Sequence, residues 1–136
     1  MDVKQLNEIC ANGLPGHMGI EVNHCGDGST SAHIDVQSQH MAPNGFLHAG
    51  TVVTLADTCC GNGCMMNLPE GASGFTTIEL KSNHLGTARE GRIECTATLV
   101  HKGRTTQVWD AVVSNKETGK TMALFRCTQM ILYPKS

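Results

Sequence analysis

Along most of this chain apolar and polar residues alternate with a period of two, and a helical period intrudes in two places. Val3, Leu6, Ile9 and Cys10 predict a short helix within the first twelve residues, stopped by Gly13-Leu14-Pro15-Gly16. Met18, Ile20 and Val22 alternate against Gly19, Glu21 and Asn23 and predict a strand. Gly26-Asp27-Gly28 is the turn after it, and Thr30, Ala32, Ile34 and Val36 make a half-buried second strand. Residues 75–85 are extended in character, although their alternation is imperfect. Ile93, Cys95, Ala97 and Leu99 then face away from Arg92, Glu94, Thr96 and Thr98. His101-Lys102-Gly103-Arg104 connects tightly to a strand through Val113 that carries Trp109, and Glu117-Thr118-Gly119-Lys120 turns into a last strand ending near Leu132. Strands joined by loops this short pair antiparallel, because a parallel pair needs a long crossover.

The second helical stretch, Ala49 to Met66, is too long for a strand. Ala49, Val52, Val53, Leu55, Ala56, Cys59 and Cys60 cover nearly its whole circumference. A helix apolar all round is expected to be buried on all sides. In so short a chain that asks an antiparallel sheet to curl around one central helix, giving a single α+β domain over 1–136. Gly61-Asn62-Gly63 weaken the C-terminal half of this helix and leave its end open.

Composition narrows the function. The chain has 136 residues, one domain's worth, and 40% apolar with 16% charged residues excludes wholesale disorder. Ten Lys and Arg against twelve Asp and Glu provide no basic face for nucleic acid, and 4% aromatics provide no row of rings for stacking bases. No apolar run reaches eighteen residues, so no membrane span is expected, and Met1 to Leu6 lack the features of a secretory signal. The seven cysteines are odd in number and contain no C-x-x-C pair, which disfavours a disulfide framework and a structural zinc. They are expected to be reduced, packed thiols in a cytoplasmic setting, with Cys59 and Cys60 serving as core. His17, His24 and His33 lack metal-ligand spacing, and no serine has a G-x-S-x-G context, so no metal or cofactor is expected.

From Val36 to Pro69 a single residue carries a formal charge, Asp57, flanked by Leu55, Ala56, Thr58, Cys59 and Cys60. A carboxylate buried without partners costs several kcal/mol or has its pKa driven upward. Asp57 is therefore either bonded away for structural reasons or lines a cleft and does chemistry. Ahead of it, Pro43-Asn44-Gly45-Phe46-Leu47-His48-Ala49-Gly50 sets a turn directly before the helix. The amides of Ala49, Gly50 and Thr51 are among the first four donors that lack an intrahelical acceptor, at the positive end of the helix dipole. Such a terminus can hold an oxygen that becomes negative. His48 either caps the helix or presents its imidazole to the same oxygen.

Asn44-Gly45-Phe46-Leu47-His48-Ala49-Gly50, followed by Leu55-Ala56-Asp57, resembles the G-x-x-H-G-G…(L/A)-(D/E) signature of hotdog-fold acyl-CoA thioesterases of the phenylacetate-degradation branch. Thr77 to His84, with Ala88-Arg89-Glu90-Gly91, is similar to that family's strand and following P-A-R-x-G turn. The resemblance implies a hotdog fold and thioester hydrolysis, with Asp57 attacking as nucleophile or activating water. It implies that the N–H of Ala49 is the oxyanion donor, with His48 beside the thioester and the Thr77 hydroxyl orienting water. It further implies that Asn44 and Gly50 border the substrate, and that Arg89, Lys102 and Arg104 meet the nucleotide phosphates of coenzyme A. The family's cleft forms between protomers, so a homodimer or a dimer of dimers is implied. Two positions depart from the pattern: Ala42 stands where Asn or Gln is common, and His-Ala-Gly replaces His-Gly-Gly. A non-catalytic acyl-CoA-binding module and a hotdog enoyl-thioester hydratase are the alternatives.

Overall fold

A computed structural model describes residues 1–135. Strands β1 (Glu21–Gly26), β2 (Ser29–Asp35), β3 (Gly74–His84), β4 (Arg92–Lys102), β5 (Thr106–Asn115) and β6 (Thr121–Leu132) make one sheet. Its order is β1-β2-β4-β5-β6-β3, with every neighbouring pair antiparallel. Helix α3 (Ala49–Met66) packs against all six strands, while α1 (Val3–Cys10) and α2 (Leu14–His17) lie along its flank. This is the α+β hotdog arrangement that the sequence led us to expect.

The inward positions of the strands explain how close the helix comes. Ala32, Cys95, Ala97, Ala111, Ala123 and Cys127 are all small and buried. Cys59, Cys60 and Cys64 bring the helix's own thiols to the same layer. All seven cysteines are free, and packing accounts for those in the core. Cys60 is held above the ordinary thiol range by its bond to Cys127 and by burial, and burial pushes Cys64 up to about 12. Neither is an available nucleophile.

Two details differ from expectation, and two readings that the sequence left open are explained. The helix runs unbroken through Gly61-Asn62-Gly63 to Met66 because tertiary contacts fill both glycines. A Cβ on Gly63 would lie 2.5 Å from the buried Trp109 ring, and one on Gly61 would lie 3.2 Å from Phe75. The first strand begins at Glu21, not Met18, because α2 fills Leu14–His17 and Gly19 takes a positive φ of 72° before the chain extends. The irregular alternation in β3 reflects a bulge between Thr77 and Glu79.

The second difference shapes the site: α3 is not buried on all sides. Thr51, Val52, Leu55, Ala56, Cys59, Cys60, Gly63 and Cys64 are buried, but Val53, Thr54, Asp57, Thr58, Gly61 and Asn62 are only half-buried. One face therefore opens between α1 and β3. No described helix is long and apolar enough to cross a membrane.

Candidate active site

Asp57 sits on the open face of α3, at a groove of about 320 Å³. Leu6 and Ile9 of α1, Pro15 of α2, Met65 of α3 and Phe75 of β3 make the groove apolar. Ile9, one of the apolar positions that predicted the first helix, is 52% exposed and lines this space. No ion pair among the described residues involves Asp57. Burial raises its carboxyl above the ordinary aspartate range, and a hydrogen bond from Thr77 lowers it in part. A half-desolvated carboxylate without a countercharge is a stronger base and nucleophile than one in water.

Thr77 lies on β3, the strand after the helix, with its Oγ1 3.4 Å from Asp57 Oδ1. The same hydroxyl is 2.7 Å from the side-chain amide of Gln129 on β6, which is fully buried. Thr77 and Gln129 face one another across the β3–β6 pairing. Because amide oxygen and nitrogen are interchangeable by a flip, the Gln129 amide can donate to Thr77 and leave the hydroxyl proton for the carboxylate. Sequence reasoning missed Gln129. Its signal was a polar residue at an inward position, after Phe125 and Cys127 and before Ile131.

The turn before α3 is braced from within. The carbonyl of buried His40 accepts from Thr51 Oγ1 at 2.9 Å and from the His48 amide at 3.0 Å, and the His40 ring Nε2 bonds the Met18 carbonyl at 2.7 Å. Asn44 Oδ1 accepts from the Phe46 amide at 3.1 Å, so this side chain shapes the loop. His48 is the N-cap: its Nδ1 accepts from the Gly50 amide at 2.7 Å. A ring nitrogen that accepts from an amide carries no proton, so the neutral ring has its proton on Nε2 as a donor. A Cβ on Gly50 would fall 2.9 Å from Nδ1, which is why glycine follows alanine here. The Ala49 amide meets no acceptor among the described residues, and both Ala49 and Gly50 are exposed.

The amide and the acid are on one helix, eight residues apart, or roughly 12 Å at the rise of an α-helix. No single carbonyl group reaches both within one protomer. The basic residues are similarly divided. Arg89 packs over the Phe46 ring at 4.7 Å, beside the turn that starts α3. Lys102 pairs with Gln107, whose side chain bonds the carbonyl of Asn67 at the other end of α3, and Arg104 lies in the same hairpin. One protomer thus separates Arg89 from Lys102 and Arg104. Among the described residues, no three His, Cys, Asp or Glu side chains gather as a metal site requires.

The profile of the thioesterase superfamily matches residues 44–122, a span that includes the His48 turn, Asp57 and Thr77. The 1,4-dihydroxy-2-naphthoyl-CoA hydrolase of Escherichia coli (strain K12) is 31% identical over 130 residues, covering 96% of this chain and 94% of that protein. A mutant thioesterase of Pseudomonas aeruginosa, solved with Gln replaced by Ala, superposes with a TM-score of 0.91 at 32% identity, covering 97% of this chain and 94% of that one. A Staphylococcus aureus protein solved as a Glu→Ala mutant matches with a TM-score of 0.83 at 27% identity, over 88% of this chain and 98% of its own. That protein was also solved as a Gln→Ala mutant, and its two substituted positions are fifteen residues apart.

Proposed function

The chain belongs to the thioesterase superfamily, and from that premise we propose that it hydrolyses arylacyl-CoA thioesters in a cleft shared by two protomers. It is a thioester hydrolase by kinship; the substrate class, the residues and the assembly are our inference. The carrying observation is the half-buried Asp57 in an apolar groove, out of reach of the free Ala49 amide on its own helix.

A thiolate leaves readily, so the protein must supply a nucleophile, a donor for the developing oxyanion, and alignment of the two. Asp57 of one protomer attacks the carbonyl carbon or takes a proton from the attacking water, with Thr77 steadying the carboxylate. The Ala49 amide at the positive end of the second protomer's α3 receives the oxyanion, and the second protomer's His48 places its Nε2–H beside it. The fifteen-residue separation of the two mutated positions in the Staphylococcus protein equals that between Ala42 and Asp57. This supports Ala42 as the site of a missing side-chain amide and leaves the helix N-terminus as the main donor.

The β3 edge supports the assembly. Eleven residues long, it has no strand partner on one side among the described residues and exposes Ile78 at 52% and Leu80 at 43%, a surface that pairs with a second copy or aggregates. Antiparallel pairing there sets two α3 helices head to tail. It also brings the hairpin with Lys102 and Arg104 toward the Arg89 of the other copy, where coenzyme A phosphates would lie. The name of the Escherichia coli relative and the ring of Phe75 in the groove favour an aromatic acyl group.

The test is Asp57→Asn. We expect it to abolish thiol release from benzoyl-CoA while dimer mass and melting persist; turnover at the wild-type rate refutes the role of Asp57. Thiol release also separates hydrolysis from silent binding and from hydration. A single turnover in 18O water tests direct attack. Water that opens the resulting anhydride at the Asp57 carbonyl leaves the label on the enzyme, whereas water activated by Asp57 always delivers it to the product acid. Label on the enzyme therefore establishes direct attack.

A further inference from the structure

Two charges on the β3 edge have no counterpart in their own chain. Glu79 and Lys81 are exposed, lie on the outer face of the sheet, and form no ion pair among the described residues. Lys81 stands directly opposite Arg126 on β6, a like charge that is itself paired with Asp110. Glu79 stands opposite Thr128. Between them Leu80, opposite buried Cys127, faces inward and yet is 43% exposed. Opposed like charges on neighbouring strands destabilise a sheet and unlike ones stabilise it, so Lys81 is best served by a carboxylate on its free side.

That free side is where the shared cleft requires a second copy. Antiparallel pairing about a two-fold axis must oppose inward residues to inward ones, which puts the axis through a residue rather than between two. An axis at Glu79 sets two carboxylates face to face, and one at Lys81 sets two ammonium groups. At Leu80 it sets Glu79 opposite the partner's Lys81, and Lys81 opposite the partner's Glu79. Helix dimensions select the same residue. For Asp57 to face the partner's Ala49, the axis must be level with the midpoint between Asp57 and Ala49 on α3, roughly 6 Å from either. Thr77 marks the level of Asp57, and β3 runs opposite to α3, since Phe75 lies beside Gly61. The bulge takes Ile78 out of the ladder, so Leu80 is two steps beyond Thr77, about 7 Å at strand spacing.

We propose that Glu79 and Lys81 fix the register of subunit pairing, with the two-fold axis at Leu80, and so align each Asp57 with the partner's oxyanion amide. This rests on the shared cleft above and adds the contacts that set its geometry. Moving the axis by one residue slides the two strands by two, about 7 Å, which carries the amide out of reach of the thioester. One step past Glu79, the same register places the partner's Ser82 opposite Thr77. Ser82 faces inward opposite Phe125, and its hydroxyl oxygen is buried without a hydrogen-bond partner among the described residues. A threonine across the subunit boundary supplies one.

Cysteine cross-linking reads the axis, because only a residue on it faces its own copy. Directly opposed residues lie about 4.5–5.5 Å apart, within reach of a disulfide. Oxidised with diamide, Leu80→Cys should give a covalent dimer on a non-reducing gel. Wild type, Glu79→Cys and Lys81→Cys should run as monomers, while the last two refolded together should cross-link. The charges are tested separately by sedimentation over a dilution series. Glu79→Lys and Lys81→Glu should each raise the dimer dissociation constant about tenfold, as two cross-strand pairs turned from attraction to repulsion allow. The double variant Glu79→Lys/Lys81→Glu should return it to the wild-type value. If Leu80→Cys does not cross-link, or the double variant dissociates as readily as the singles, these charges do not set the register, and the shared cleft survives. If wild type hydrolyses acyl-CoA as a monomer, the shared cleft fails and takes this proposal with it.

Discussion

Complementation between two inactive variants reads out the division of the site most directly. Ala49→Pro deletes one hydrogen and little else. Proline is favoured at the first helical position, where its missing N–H has no intrahelical acceptor to lose. His48, the residue before it, already has φ −69° and ψ 134°, the extended conformation a following proline demands. The Ala49 amide has no acceptor to forfeit among the described residues, and the residue is exposed. Folding should therefore be unaffected, while loss of one oxyanion donor lowers kcat on the order of 10²–10³-fold. Asp57→Asn is expected to be inactive for a separate reason. Because roughly 12 Å divides the two groups on one helix, each active site must draw one from either protomer. A mixed dimer of the two variants then carries both lesions in one site and none in the other. With random exchange half the dimers are mixed, each with one intact site of two, so about a quarter of wild-type activity returns. The assay is thiol release after the variants are unfolded together and refolded, with separately refolded and then mixed proteins as the control. If the co-refolded mixture is no more active than its parents, the amide and the carboxylate do not act across a subunit boundary.

Two further outcomes follow from contacts around α3. Burial raises the Asp57 carboxyl, so kcat/KM should climb with pH through a limb above the ordinary aspartate range. Thr77→Val removes the hydrogen bond that lowers it, and a pH–rate profile should show that limb displaced to higher pH; displacement downward contradicts the assignment of Asp57 as the titrating group. The same raised pKa has a sign in stability. Folding favours the protonated acid, so this contribution is present at low pH and is lost as pH rises through the folded-state pKa; urea midpoints should therefore show Asp57→Asn at least as stable as wild type at pH 8. Gly63→Ala places a methyl 2.5 Å from the Trp109 ring, and the overpacking, about 1–3 kcal/mol, outweighs alanine's better helix propensity of about 1 kcal/mol. Gly61→Ala meets Phe75 at the milder distance of 3.2 Å and should melt closer to wild type.

Much of the architecture is a matter of local pattern and was legible in the chain. Period-two alternation in β2, β4, β5 and β6 recurs as alternating burial, and their short connections left antiparallel pairing as the available topology. The solitary charge between Val36 and Pro69 marked Asp57, and the turn chemistry before Ala49 marked the helix N-terminus. Contacts between elements were not legible, because no local rule encodes which distant surface a side chain will meet. Hydrophobicity around α3 suggested burial on every side, yet whether a face opens depends on how far α1 and β3 extend around it. Gly61 and Gly63 looked like helix breakers until Phe75 and Trp109 arrived from other strands to occupy their empty faces. Gln129 became part of the Asp57 environment only when the β3–β6 register set it opposite Thr77. Sequence fixes what each segment is, since propensity and periodicity act over a few residues. Tertiary packing decided which acid is half-desolvated and which amide stays free, since those depend on neighbours far away in the chain.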